Sequence, residues 1–103
     1  LQQLWNYLQS SPAYKNKTAL LITTDHGRGD INKAQWTSHG AKIEGAGEIW
    51  FAVLGPGIPA KGEVKTTMQL YQRQIAQTIA LLLGKTFSAT HHVAPAIEQI
   101  KKE

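Results

Sequence analysis

Asp25, His26 and Gly27 stand at the end of an apolar run, Thr18-Ala-Leu-Leu-Ile-Thr-Thr24, and a second His-Gly pair, His39-Gly40, closes the motif Trp36-Thr-Ser-His-Gly40. His39 follows His26 by 13 residues (39 − 26), which is within reach of a returning loop. One carboxylate and two imidazoles form a mixed oxygen and nitrogen donor set. Such a set suits zinc or manganese ahead of calcium or magnesium, which favour oxygen ligands. Two histidines and one aspartate do not complete an ordinary zinc site, so the chain carries part of a site at most. Successive residues of a strand point to opposite sides, so Asp25 and His26 would address two different ions, and His39 would join whichever is left incomplete. Gly27 permits the sharp turn that leaves the strand. The same residues also allow a plainer reading, an Asx-turn with an exposed His26 and an ordinary loop histidine at position 39.

These groups need an element to hold them. Thr18 to Thr24 reads as a short strand covered on both faces in an α/β sheet, and ligands in such sheets gather at the carboxyl ends of strands. Upstream, Leu1, Leu4, Trp5 and Leu8 share one helical face, and Ser10-Ser11-Pro12 ends that helix. Lys15-Asn16-Lys17 is a polar turn. From Asp25 to Gly47 the chain is rich in glycine and polar residues without a clear period, and a loop of this length in a compact domain is usually functional or disordered. Glu48 to Leu54 is a second strand, stopped by Gly55-Pro56-Gly57-Ile58-Pro59. Tyr71, Ile75, Ile79, Leu82 and Leu83 stand at helical spacing, with Gly84 as the stop. Thr66-Thr67-Met68-Gln69 is a candidate capping box, although the helix could begin several residues later. A short helix is expected between Pro95 and Lys102. The expected order is helix, strand, long loop, strand, helix: an α/β fold.

Composition removes several function classes. The 103 residues make one domain at most. With 42% hydrophobic and 17% charged residues, disorder is not the default state. No apolar stretch approaches membrane-spanning length. There is no cysteine, which rules out disulfides and thiolate ligands and leaves the compartment open. The net charge of +4 comes from scattered residues, only Lys101 and Lys102 being adjacent, so a solvated surface is expected rather than a nucleic-acid footprint. Leu1-Gln-Gln-Leu-Trp5 has neither an initiator Met nor a signal-peptide pattern and reads as the middle of a helix. A fragment of a longer protein is the expectation.

Four pieces in order carry a family resemblance: Leu-Ile-Thr-Thr-Asp25-His26-Gly27; His39-Gly40; Phe-Ala-Val-Leu-Gly55-Pro56-Gly57-Ile58-Pro59; and Ile75-Ala76-Gln-Thr78-Ile79-Ala-Leu-Leu-Leu83-Gly84. Together they resemble the C-terminal portion of the alkaline phosphatase superfamily, which includes phosphatases, sulfatases, nucleotide pyrophosphatases and phosphodiesterases, and cofactor-independent phosphoglycerate mutases. The likeness spans about residues 1–84 and leaves 85–103 as a tail. It implies a fragment of an α/β/α sandwich and a metal-dependent hydrolase of phosphate or sulfate esters that uses two divalent ions. It also implies that Asp25 and His26 serve one ion and His39 the other. Calcium-type sulfatases usually carry Asp-Asn at the pair, so His26 points toward the phosphatase and phosphodiesterase branches. The nucleophilic Ser or Thr and the acidic ligands near it belong to an N-terminal region that this sequence lacks, so the fragment alone is expected to be inactive. A periplasmic or secreted origin is what many superfamily members would imply.

The remaining polar residues weigh differently. Thr23 and Thr24 are β-branched strand residues before they are nucleophiles, and Ser38 has no base with an orienting partner. Arg28 directly follows the ligands and is a candidate to bind a phosphate or sulfate oxygen in bidentate fashion, with a solvent-facing role as the alternative. Asp30 is a turn residue or supports the ligands. Trp36 walls the site or, as its large area favours, packs beneath the loop. Glu48 opens an apolar strand and needs a partner or an exposed end. His91 and His92 are expected at the surface. The alternatives to a hydrolase are a mutase or transferase of the same superfamily and a non-catalytic α/β binding module with a degenerate site. The fragment would also expose strand edges, so self-association is expected.

Overall fold

A computed structural model describes residues 1–101. The chain is a small mixed α/β protein with two helices and a two-stranded antiparallel sheet. Helix α1 is Gln2–Ser10, strand β1 Leu20–Thr23, strand β2 Phe51–Leu54 and helix α2 Ile75–Leu82; single 3-10 turns lie at Lys33–Gln35, Gln72–Gln74 and Glu98–Lys101. The order of the long elements is the one expected from the sequence. Contacts cluster into two units, one made of Leu1–Leu20 with the chain from Val53 onward, the other of Leu21–Ala52.

In the first unit, α1 ends where Ser11 turns to extended backbone before Pro12, the geometry that a following proline imposes. None of its residues is buried; Leu1 and Leu4 are exposed, and only Trp5 and Leu8 of the expected stripe are half covered. Helix α2 begins through a different box from the one expected. The side chain of Gln74, not Gln69, reaches back, its Oε1 accepting from the Tyr71 N–H at 2.8 Å. At the other end Lys85 N–H donates to the Ala80 carbonyl at 2.8 Å across Gly84, so the glycine closes the helix as its position suggests. The buried stripe of α2 is Thr78 and Ala80, whereas Ile79 and Leu83 of the expected stripe are exposed.

The reason lies in what α2 packs against. The segment Ala94–Ile97 returns to it: Ala94 and Ile97 are buried, and the fully buried Thr78 hydroxyl accepts from the Ile97 N–H at 2.9 Å while donating to the Gln74 carbonyl at 2.7 Å. Small side chains let that backbone come close, so the apolar bulk of Ile79 and Leu83 faces elsewhere. The expected tail helix is reduced to the 3-10 turn Glu98–Lys101, and Lys102 lies outside the described residues.

Both strands are shorter than Thr18–Thr24 and Glu48–Leu54. At the first strand's start, the Thr18 hydroxyl is drawn back to the Tyr14 carbonyl at 3.1 Å, which takes it into the preceding turn. No residue in either strand is buried; Leu20, Leu21 and Ile22 are half covered and Thr23 is exposed, so the expected cover on both faces is not present among the described residues. Beyond the strands the pairing continues, with Thr24 N–H donating to the Trp50 carbonyl at 3.4 Å and the Thr23 hydroxyl donating to the same oxygen at 2.9 Å. This places Asp25 and Glu48 where the two arms of the long loop begin.

Candidate functional site

The site lies wholly within the Leu21–Ala52 unit and is built on its loop. β1 ends at Thr23, and Asp25 sits in a bend rather than in the strand. Strand alternation therefore does not apply to Asp25 and His26. Instead of pointing apart, their side chains share one side, with Asp25 Oδ2 3.6 Å from His26 Nε2. The bend is fixed locally: Asp25 Oδ1 accepts from the His26 N–H at 3.0 Å. The bond reaches only the next residue, so it holds the carboxylate against the bend without forming an Asx-turn.

The loop then doubles back. Gly27 N–H donates to the Ala46 carbonyl at 2.8 Å, and Gly29 N–H donates to the Ser38 carbonyl at 2.8 Å. The second bond delivers His39, whose ring stacks on that of His26 with centroids 3.8 Å apart and planes 13° apart. Asp25, His26 and His39, singled out by type and spacing, are thus brought together.

The geometry also selects a state of His26. Its Nδ1 lies 2.6 Å from the Gly27 carbonyl oxygen. A carbonyl only accepts, so Nδ1 carries the proton. In the neutral ring Nε2 then holds the lone pair, and it faces the Asp25 carboxylate. With metal–nitrogen and metal–oxygen bonds near 2.1 Å, two ligands of one tetrahedral ion lie about 3.4 Å apart. The observed 3.6 Å is close to that spacing. A backbone carbonyl holding the far nitrogen is also the usual support of a metal-binding histidine. The separation of these two donors is thus compatible with one divalent ion between them. The pair is open to solvent, the Asp25 side chain being 86% exposed and that of His26 41%. Among the described residues no three His, Asp or Glu side chains are arranged to hold one ion.

Several features of this loop escape a reading of residue types. Gly27 and Gly29 are packed, not merely permissive. A Cβ on Gly27 would overlap the Gly45 carbonyl oxygen and meet that of Glu48 at 2.6 Å; one on Gly29 would overlap the Gln35 side chain. Two polar atoms, Thr24 Oγ1 and Gln35 Oε1, are buried without a hydrogen-bond partner, the former one residue before Asp25. Trp36 does not pack beneath the loop. It is 44% exposed, and the Arg28 guanidinium lies 4.5 Å and the Lys33 ammonium 5.6 Å from the indole centroid. The only sequence hint is charge beside an aromatic. Asp30, Glu48, His91 and His92 are exposed. In the other unit a cleft of about 440 Å³ lies between Trp5, Gln9, Asn16 and the Gly55–Pro56 turn, and it shares no lining residue with the histidine pair.

Fold and site together define a mixed α/β chain with a carboxylate and two stacked imidazoles on a glycine-stitched loop. No family model, curated protein or solved structure matches it. No helix among the described residues is long and apolar enough to cross a membrane.

Proposed function

We propose that this chain supplies metal ligands to a metal-dependent hydrolase of phosphate or sulfate esters and is the C-terminal part of an alkaline phosphatase-like α/β/α sandwich. Asp25 and His26 hold one divalent ion, zinc or manganese, and His39 serves a second. The observation that carries this reading is the stacking of His39 on His26, 13 positions apart along the loop. Near-parallel rings 3.8 Å apart have room to serve two cations at the ~3.5–4 Å spacing of two-metal sites. When bound, such ions lower the pKa of an attacking hydroxyl or water and neutralise charge on the transferring group. The chain's own residues orient and hold: Asp25 fixes the bend, the Gly27 carbonyl fixes the His26 tautomer, and the Gly29–Ser38 bond returns His39. Arg28 binds a phosphate or sulfate oxygen of the substrate.

The nucleophile and the remaining ligands come from upstream polypeptide, which also adds strands to the edges of β1 and β2. Without it this chain does not turn over ester and self-associates through those edges. A phosphomutase or phosphotransferase with the same ligands differs only in the acceptor of the transferred group. Zinc and manganese titrations of this chain test the ligand assignment. His26→Ala and His39→Ala should each weaken binding by about tenfold or more. Unchanged affinity in both variants overturns it. The absence of a convergent three-donor group among the described residues favours one other reading, a non-catalytic α/β binding module with a degenerate site. That reading expects negligible affinity for either metal even when the upstream region is present.

A further inference from the structure

Arg28 and Lys33 converge on one half-exposed indole, that of Trp36. Two cations on the same aromatic repel each other, and among the described residues no carboxylate lies within ion-pairing distance of either. Each is attracted to the ring, so Trp36 holds in place a doubled positive charge that the described structure leaves uncompensated. The shelf is not a loose surface feature. Arg28 lies between Gly27 and Gly29, whose N–H groups are bonded to Ala46 and Ser38, and its own carbonyl packs where a Cβ on Gly45 would come within 2.5 Å. Lys33 opens the 3-10 turn Lys33–Gln35, and Trp36 N–H donates back to its carbonyl at 3.2 Å.

We propose that Arg28, Lys33 and Trp36 form an anion shelf that binds a second phosphate on the substrate, separate from the group cleaved beside the histidine pair. The inference deepens the hydrolase reading and rests on it. The substrate class it names is an ester carrying two phosphate groups. The guanidinium offers a planar pair of donors to one phosphate, the ammonium adds a point charge, and the indole keeps both aimed outward.

The test uses this chain in a chelating buffer, so that no divalent ion takes part, with inorganic pyrophosphate as probe and inorganic phosphate as comparison. The readout is the Trp36 indole N–H resonance, assigned by its loss in Trp36→Phe. Pyrophosphate should shift it saturably, with affinity at least about fivefold above that of phosphate, and added salt should weaken the binding. Arg28→Ala and Lys33→Ala should each reduce the affinity by about tenfold. His26→Ala should leave it unchanged. Parent-level affinity in both cation variants, or no preference for pyrophosphate, overturns the shelf. If pyrophosphate binds as expected while metal affinity ignores His26 and His39, the shelf stands and the hydrolase reading falls.

Discussion

Two stretches of this chain look alike as sequence and differ as structure. Residues 25–47 and 61–70 are both polar, glycine-containing and without helix or strand period. The first is sewn to itself. Besides the two glycine bonds that return it, Ser38 N–H donates to Gln35, Ile43 to Gly40, Ala46 to Ile43 and Glu48 to Gly45, and Gly29 and Ala46 are buried. In the second, residues 62–70 make no backbone–backbone hydrogen bond with any described residue, and every residue from Lys61 to Gln69 is exposed. Composition alone does not distinguish an ordered loop from an unanchored one. What does is whether glycines sit where only a hydrogen atom fits, because there the two arms of the loop are in van der Waals contact.

The comparison breaks most sharply at Gly27. A methyl group there would overlap the Gly45 carbonyl oxygen and crowd that of Glu48, both of them backbone atoms that cannot swing aside. Gly27→Ala should cost about 3 kcal/mol, at the upper end of overpacking penalties. It should also separate the His26 and His39 rings, since the displaced arm is the one that positions them. Denaturant melts give the first quantity, and the upfield shift that stacked imidazole protons impose on each other reports the second. A melt within error of the parent chain, with the ring shifts intact, would mean that the loop is held by something other than this contact.

A second test moves order from one stretch to the other within the first unit. Ala94–Ile97 is also irregular chain, tied down by the buried Thr78 hydroxyl and by the Gln74 amide, which donates to the Pro95 carbonyl at 3.2 Å. Thr78→Val keeps the shape but leaves the Ile97 N–H buried without its acceptor. The expected cost is about 2 kcal/mol, the penalty of an unsatisfied buried donor plus the lost bond to Gln74. Hydrogen exchange should then rise at Ile97 and stay as it is at residues 62–70, which have nothing to lose. Unchanged protection at Ile97 would show that the Gln74–Pro95 bond and the apolar contacts of Ala94 and Ile97 hold the segment without the hydroxyl.

These contrasts explain what could be read in advance. The order of the long elements was legible because Leu1 to Leu8, Ala19 to Ile22, Phe51 to Leu54 and Ile75 to Leu83 carry clear apolar patterns. That Asp25, His26 and His39 would meet was legible in the spacing of the two histidines, which a returning loop can close. Register within the elements was not. α2 is apolar nearly all round, so periodicity favoured Ile79 over Thr78, and only the closeness of the returning Ala94–Ile97 backbone selects the smaller residue. The sides taken by Asp25 and His26 differ from strand alternation because the strand stops at Thr23, one residue earlier than its apolar and β-branched run suggests, and Asp25 lies in a bend. The Arg28–Trp36–Lys33 grouping depends on a loop path that no local pattern encodes.

The smallest expected effect sharpens the comparison furthest, because it holds the backbone demand constant and varies only the anchoring. Gly45 and Gly62 both take positive φ, +92° and +67°, a region that costs an L-residue ~1–2 kcal/mol. At Gly45 the cost cannot be relaxed: a Cβ would come within 2.5 Å of the Arg28 carbonyl oxygen, and Gly45 itself accepts from the Glu48 N–H. Gly45→Ala should therefore lose at least the full strain, about 2 kcal/mol. At Gly62 a Cβ would meet nothing within 4 Å, and among the described residues no backbone bond is made by Gly62. The segment can rotate to an ordinary conformation, so Gly62→Ala should change stability by less than about 0.5 kcal/mol. Equal losses at the two positions would mean that the 61–70 stretch is as firmly placed as the site loop, by contacts other than its own hydrogen bonds. Trypsin offers an independent measure of the same difference, since Lys61 and Lys65 should be cleaved well before Arg28, Lys33 or Lys42 in the parent chain.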